Sequence, residues 1–106
     1  MTLVSVAVCV RDGIGWIDGC LESLVNQSHS PIEIILVDDG STDRTKELLK
    51  DRDDIILISR DINRGYGFSI KEGIQKSTGD LILIIDLLFE HLVYLCLNQL
   101  HLVLYE

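Results

Sequence analysis

The fold of this 106-residue chain is decided by one stretch, Ile32-Glu-Ile-Ile-Leu-Val-Asp-Asp-Gly40. It begins as a nearly continuous apolar run, which is typical of a parallel strand that is buried on both faces. It then stops abruptly at two carboxylates and a glycine, which are common turn residues. The stretch therefore predicts a buried strand of a parallel sheet with polar groups at its carboxyl end.

Outward from this stretch, three more apolar runs of strand length occupy residues 3–10, 55–59 and 81–85. Segments with helical spacing lie between the runs, at about residues 15–27, from the capping residues 41–43 to residue 50, and at 67–76. Strands that alternate with helices at this spacing indicate βαβ units. We predict an α/β fold, a parallel sheet of about four strands with covering helices.

The third helix carries the most specific packing prediction. Phe68, Ile70 and Ile74 are its large apolar residues, and we expect them to be buried. Gly73 would let this helix approach the sheet closely, although glycine costs a helix about 1 kcal/mol relative to alanine.

The C-terminal segment is more apolar than the rest, because 19 of the 26 residues from Leu81 to Glu106 are apolar. Its polar residues fall near one side at helical spacing. We expect residues 1–86 to form the α/β unit and residues 87–106 to form an apolar tail with a core-covering C-terminal helix. Two alternatives stay open: a face that pairs with a second copy, and a membrane span, which polar residues disfavour in every window of about 20 residues.

Composition narrows the classes of function. The chain is 47% hydrophobic and 25% charged, as in a globular protein. Its net charge of −8 opposes binding to nucleic acid, so any phosphate ligand needs a local cation or a metal.

We expect the three cysteines to be buried thiols in a reducing compartment. No basic segment precedes the first apolar run, so we expect no secretory signal and a cytoplasmic location.

Each predicted strand ends at charged residues, namely Arg11-Asp12, Asp38-Asp39, the segment 60–65, and Asp86. Ligands of open parallel sheets bind beyond these carboxyl ends. Carboxylates there can accept hydrogen bonds from a nucleobase or ribose, or hold a divalent cation. The alternative for Asp38-Asp39-Gly40 is a turn with a helix cap.

Two familiar nucleotide motifs are missing from the sequence. The nearest matches to the dinucleotide fingerprint, at residues 13–15 and 65–67, lack its third glycine, which disfavours a nicotinamide cofactor. A GxxxxGK[ST] segment is also absent, so a P-loop hydrolase is not supported.

A series of segments carries a more specific signal: Val4-Ser-Val-Ala-Val-Cys-Val10, Cys20-Leu-Glu-Ser-Leu-Val-Asn-Gln27, Glu33-Ile-Ile-Leu-Val-Asp-Asp-Gly-Ser-Thr-Asp43, Asn63-Arg-Gly-Tyr-Gly67, Gly73-Ile74 and Thr78-Gly-Asp-Leu-Ile-Leu-Ile-Ile-Asp86. Their order and spacing resemble those of family 2 glycosyltransferases, in the branch that includes polyprenyl-phosphate sugar transferases. The resemblance covers about residues 3–86 and implies a Rossmann-like fold of the GT-A type.

The resemblance also implies a function. A domain of this family binds a nucleoside-diphosphate sugar, of the UDP or GDP type, for transfer to an acceptor, usually with Mg²⁺ or Mn²⁺. It places the nucleobase contact on Asp38 or Asp39 and the metal on Asp86. Further nucleotide contacts fall on Asp12, Asn63 and Gly65. The branch allows an acceptor that is associated with a membrane.

This sequence departs from the family at three points, one of which is Cys9 in place of a proline that is common in the first strand. Leu88 stands at the third position of the family's DxD metal motif, so the second metal-binding acid is missing. The chain also ends where the family's acceptor half begins, and we identify no catalytic base. We therefore expect the chain to be incomplete as a catalyst. The alternative hypothesis is a non-catalytic binding or homo-oligomerisation module derived from the same fold, pairing through the apolar tail and an uncovered sheet edge.

Overall fold

The computed structural model describes residues 2–15, 17–28, 30–87 and 104–105. The elements follow in the order β1 (Val4–Val10), α1 (Ile17–Val25), β2 (Ile32–Asp39), α2 (Thr45–Leu49), β3 (Ile56–Arg60), α3 (Tyr66–Lys76), β4 (Leu81–Leu87) and β5 (Leu104–Tyr105). The predicted alternation of strands and helices is confirmed as far as β4.

The strands form one sheet in the order β3-β2-β1-β4-β5. Strands β1 to β4 are mutually parallel, while β5 runs antiparallel to β4. The α/β parallel sheet is therefore confirmed. The two-residue strand β5 lies in the segment for which a helix is predicted, and Leu87 belongs to β4. The rest of that segment, residues 88–103 and 106, is outside the described residues, as is the predicted C-terminal helix.

The main core lies on one side of the sheet, where alternate residues of the strands meet α1 and α2. Valines of β1 pack there with apolar side chains of both helices. The buried set comprises Val6, Val8, Val10, Ile17, Cys20, Leu21, Leu24, Ile34, Leu36, Leu49, Leu83 and Ile85. Cys9 and Cys20 are buried as predicted, and Cys96 is outside the described residues.

Helix α3 covers the other side of the sheet, and its buried face differs from the prediction. Phe68 and Ile74 are 42% and 38% exposed, whereas Ser69 and Gly73 are buried. A Cβ atom on Gly73 would come within 2.9 Å of Ala7 Cβ, which confirms the predicted close approach. Because the helix lies so near the sheet, its contact face carries small residues, while Ile70 is half-buried and Phe68 and Ile74 are exposed.

A carboxylate network fastens the amino end of the sheet. Glu33 Oε2 accepts hydrogen bonds from the Ser5 hydroxyl, from Thr78 N at 2.6 Å and from Thr78 Oγ1 at 2.8 Å. Ser5 Oγ in turn accepts a bond of 2.8 Å from Gly79 N. The network joins β1, β2 and the connection from α3 to β4.

Across the described part of the chain, no helix has the length and apolar character needed to cross a membrane.

Candidate functional site

Parallel pairing brings the carboxyl ends of β1 to β4 to one edge of the sheet, as predicted. We call this edge the rim. Strand β2 extends two residues further than its apolar run and includes Asp38 and Asp39. Asp38 pairs with Val10 of β1, and Asp39 pairs with Arg60 of β3. Because successive residues of a strand face opposite sides, the two carboxylates occupy different environments.

Asp38 lies on the side of α1 and α2 and is only 1% exposed. Its Oδ1 atom accepts hydrogen bonds from the Ser41 hydroxyl and, at 3.3 Å, from Ser41 N. Burial raises the pKa of the Asp38 carboxyl, and the nearby negative charges of Asp43 and Asp12 raise it further. Asp38 is therefore a buried acid with an elevated pKa at the centre of the rim.

Asp12 joins the end of β1 to the loop after β2. Its backbone has a positive φ of 56°. Asp12 Oδ1 accepts bonds from Thr42 N at 2.6 Å, Thr42 Oγ1 at 3.1 Å and Asp43 N at 3.2 Å. Asp12 N donates to Ser41 Oγ at 2.9 Å. These contacts hold Asp12 beside Asp38, although the Oδ1 atom of Asp12 is already used within the protein.

The contacts of this loop correct the prediction that Ser41 and Thr42 cap the second helix, whereas Asp43 does bond to the first backbone N–H of that helix. Ser41 and Thr42 instead bond to Asp38 and Asp12. Asp43 accepts bonds from Thr45 N at 2.9 Å and from Ile14 N at 3.2 Å, while the N-cap residue is Arg44, which makes no side-chain cap bond. Ser41 and Thr42 thus bond to the rim carboxylates, and the Asp43 side chain bonds to the start of α2.

Asp39 lies on the side of α3 and is 4% exposed. Its Oδ1 atom accepts bonds from Arg60 Nε at 3.1 Å, Arg60 Nη2 at 2.8 Å and Arg64 N at 2.8 Å. Its Oδ2 atom accepts a bond of 2.8 Å from Gly65 N. Burial alone would raise the pKa of Asp39, but the hydrogen bonds from Arg64, Arg60 and Gly65 and the Arg60 charge lower it.

Arg60 is a site residue that the sequence interpretation missed, because it placed residues 60–65 together in a loop. Its side chain is 13% exposed and forms ion pairs with both Asp39 and Glu72. The guanidinium also donates to the Ser69 hydroxyl and lies 4.9 Å from the centre of the Phe68 ring. The sequence did contain a signal for this role: β2 ends in an Asp-Asp pair, and the next strand ends in an arginine.

Asn63 and Gly65 form the third part of the rim. Asn63 Oδ1 accepts a bond of 2.9 Å from Gly65 N, and Gly65 has a φ of 93°. Gly40 packs directly against this loop, because a Cβ atom on Gly40 would come within 2.5 Å of Asn63 N. With a φ of 72°, Gly40 also adopts a conformation that favours glycine. The loop therefore contacts the end of β2 through backbone atoms.

Asp86 lies at the rim end of β4, where it pairs with Cys9 of β1. This register row also includes Val37 and precedes the row of Val10 and Asp38. Within the described ranges, no group of three or more His, Cys, Asp or Glu side chains could hold a metal ion.

The structure thus brings Asp12, Asp38, Asp39, Asn63 and Gly65 together at the rim, with Asp86 at the end of a neighbouring strand. A cavity of about 340 Å³ lies on the α2 side, lined by Ile14, Arg44, Glu47 and Leu48. It includes none of the predicted site residues. The chemically distinctive feature is instead the pair of adjacent acids, one bonded on a single oxygen and the other on both.

Comparison with known proteins identifies relatives of this chain. Residues 5–89 match the family described as Glycosyl transferase family 2. The glucosyl-dolichyl phosphate glucuronosyltransferase of Haloferax volcanii is 34% identical over 88 residues, which are 78% of this chain and 28% of that protein.

Solved structures show the same fold. The mannosyltransferase PcManGT from Pyrobaculum calidifontis, in complex with GDP-Man and Mn²⁺, matches with a TM-score of 0.71 and 23% identity, over 78% of this chain and 26% of that one. S. aureus TarS 1-349 in complex with UDP matches with a TM-score of 0.71 and 24% identity, over 81% of this chain and 27% of that one.

The chain thus spans about a quarter of the length of the relative and the two solved chains. The match to the family includes β1 to β4 and every site residue predicted above. The chain belongs to glycosyltransferase family 2, and its parallel sheet is the GT-A-like fold of that family.

Proposed function

We propose that this chain binds the nucleoside diphosphate of a sugar donor at the rim, as the nucleotide-binding part of a glycosyltransferase. Asp38 accepts a hydrogen bond from the nucleobase. The support from relatives is that TarS is solved with UDP and PcManGT with GDP-Man. Uracil and guanine both present a ring N–H that can donate to a carboxylate.

The observation that carries the choice of Asp38 is the difference in hydrogen bonding between the two adjacent acids. Both oxygens of Asp39 accept bonds within the protein, four in all. Among the described residues only Ser41 donates to Asp38, and only to its Oδ1 atom. Asp38 Oδ2 therefore has acceptor capacity for a ligand, whereas Asp39 is occupied in holding residues 60–65.

The other rim residues take supporting roles in this proposal. Asp12 holds the loop of Thr42 and Asp43 beside the nucleobase, through the three bonds to its Oδ1 atom. Residues 63–65 form the wall next to it. Mg²⁺ or Mn²⁺ at Asp86 stays a prediction, for which the Mn²⁺ of PcManGT is the support.

Transfer of the sugar, the acceptor and its membrane association are proposed for the whole protein and not for this chain alone. The cytoplasmic location, the division at residue 86 and the incomplete catalysis stay predictions. The alternative of a homo-oligomerisation module stays a hypothesis, since nothing in the described residues favours a paired copy.

The test is ligand-observed NMR of the 106-residue chain with UDP and with GDP. Asp38→Asn keeps an acceptor for Ser41 but removes the charge, and we expect it to weaken nucleotide binding by about tenfold, the effect of losing one charge-assisted hydrogen bond. Asp80→Asn is the control, because Asp80 bonds to Leu3 N at the opposite end of the sheet. A folded wild-type chain that binds neither nucleotide would contradict the proposal.

A further inference from the structure

Arg60 connects the ends of two strands to α3, and the proposed nucleotide contacts do not include it. Its guanidinium bonds to Asp39 through two nitrogens, at 3.1 and 2.8 Å. On the helix side it pairs with Glu72 and donates to Ser69. One side chain thus joins the ends of β2 and β3 to two successive turns of α3.

The contacts continue from Arg60 to the rim loop through Asp39. The Asp39 carboxylate accepts the backbone N–H groups of Arg64 and Gly65, each at 2.8 Å. These are the last two residues before α3. Asp39 can hold both amides in place only while its own orientation is fixed, and the two bonds from the guanidinium fix it.

Phe68 completes the arrangement. Its ring lies 4.9 Å from the Arg60 guanidinium and 5.2 Å from that of Arg64. Both cations interact with the ring at distances at which cation–π attraction is significant. This explains why a large aromatic residue on α3 is 42% exposed rather than packed against the sheet.

We propose that Arg60 is a positioning residue, which fixes residues 63–65 and the start of α3 against the rim so that a nucleotide meets a preformed surface. This role rests on the proposed nucleotide binding. Arg60 acts through Asp39 and α3 and does not itself contact the ligand. A planar guanidinium suits it, because a lysine cannot bond to Asp39, Ser69 and Glu72 together in the same geometry.

The test compares UDP binding, urea unfolding and backbone amide NMR for four variants of the 106-residue chain. Arg60→Met removes all the donors and is expected to raise the Kd for UDP about tenfold. It should also shift the amide signals of Arg64 and Gly65 in the nucleotide-free protein. Arg60→Lys keeps the charge and is expected to bind UDP as weakly as Arg60→Met.

Glu72→Gln removes only the distant helix anchor, so it tests the role even if the Arg60 variants do not fold. It is expected to weaken UDP binding about threefold, a fraction of the full effect. Glu33→Gln is the matched control, since Glu33 is a similarly bonded carboxylate at the other end of the sheet. It is expected to lower stability and leave the Kd within about twofold of wild type.

Four results would overturn the role. Folded Arg60→Met or Glu72→Gln proteins with the wild-type Kd would show that positioning by Arg60 does not matter. A wild-type Kd for UDP in Arg60→Lys would indicate that the positive charge at residue 60 is sufficient and that the guanidinium geometry is not needed. A loss of binding by Glu33→Gln in proportion to its loss of stability would indicate a general structural effect. A wild-type chain that binds no nucleotide overturns the proposed function and this role with it.

Discussion

Asp38 and Asp39 are neighbours in sequence, but their environments shift their pKa values in opposite directions. Both are nearly fully buried, which raises a carboxyl pKa in each case. At Asp39 the hydrogen bonds from Arg64, Arg60 and Gly65 and the Arg60 charge reverse that effect, whereas at Asp38 the charges of Asp43 and Asp12 add to it. The charged form of Asp39 therefore stabilises the fold, whereas the charged form of Asp38 lowers the free energy of unfolding.

This difference gives a prediction for Asp38→Asn in the absence of ligand. With its raised pKa, the folded protein binds the Asp38 proton more tightly than the unfolded chain does. The contribution of Asp38 to stability is thus present below the ordinary pKa of a carboxyl group and lost as the pH rises through the raised value. We expect Asp38→Asn to be more stable than wild type at pH 7, with a smaller difference at pH 4, in urea unfolding. Lower stability of the variant at pH 7 would contradict this.

The sequence could place both acids at the rim but could not separate their roles. The apolar run before them predicts the strand end, and the parallel alternation predicts the shared edge. What distinguishes the two acids is their partners: Ser41 is close in sequence to Asp38, but Arg60 and Arg64 are 21 and 25 residues from Asp39. Such contacts depend on the packing of α3, which local patterns do not determine.

At the scale of secondary-structure elements, the hydrophobic pattern of α3 predicts the wrong buried face. Its apolar residues predict a buried stripe of Phe68, Ile70 and Ile74, but the face against the sheet carries Ser69 and Gly73. Close packing of the helix and the anchoring of its first turns by Arg60 decide which face is buried. Gly73 indicated the close approach correctly, since the helix position that touches β1 cannot accommodate a side chain.

Two glycines of α3 allow a matched comparison. Gly73→Ala places a methyl group 2.9 Å from Ala7 Cβ, and we expect the strain to cost about 1–3 kcal/mol of unfolding free energy. Gly67→Ala meets no atom within 4 Å, and we expect it to stabilise the protein by up to about 1 kcal/mol through helix propensity. Urea unfolding of both variants checks the prediction, and equal effects of the two substitutions would contradict it.

At the scale of the whole molecule, the two ends of the sheet are built for different tasks. The amino end is closed by a network in which Glu33 is bonded to Ser5 and Thr78. At the carboxyl end, acidic side chains lie beside loops whose backbone N–H groups are bonded to Asp12 and Asp39. The alternation of strands and helices in the sequence predicted that the polar strand ends share one edge of the sheet. It did not predict the short antiparallel strand β5, because two residues are too few to show a periodic pattern.

The network at the amino end predicts sensitivity to acid. Burial alone would raise the pKa of Glu33, but hydrogen bonds from Ser5 and Thr78 lower it. Its contribution to stability is therefore present above the ordinary carboxyl pKa and lost as the pH falls through the lowered value. We expect Glu33→Gln to cost about 1–2 kcal/mol at pH 7. The cost should shrink below about pH 4, as the wild-type carboxyl becomes protonated. A constant difference between pH 7 and pH 3 would contradict this.

The strand order also has a consequence for synthesis on the ribosome. Strand β1 lies in the interior of the sheet, between β2 and β4. It can pair with β2 once residue 39 has emerged, but its second edge has no partner until residues 81–87 follow. A nascent chain of intermediate length thus exposes a valine-rich strand edge, which is a template for aggregation. Among the described strands, we therefore expect aggregation of the nascent chain to be most favoured in the interval of translation between β2 and β4.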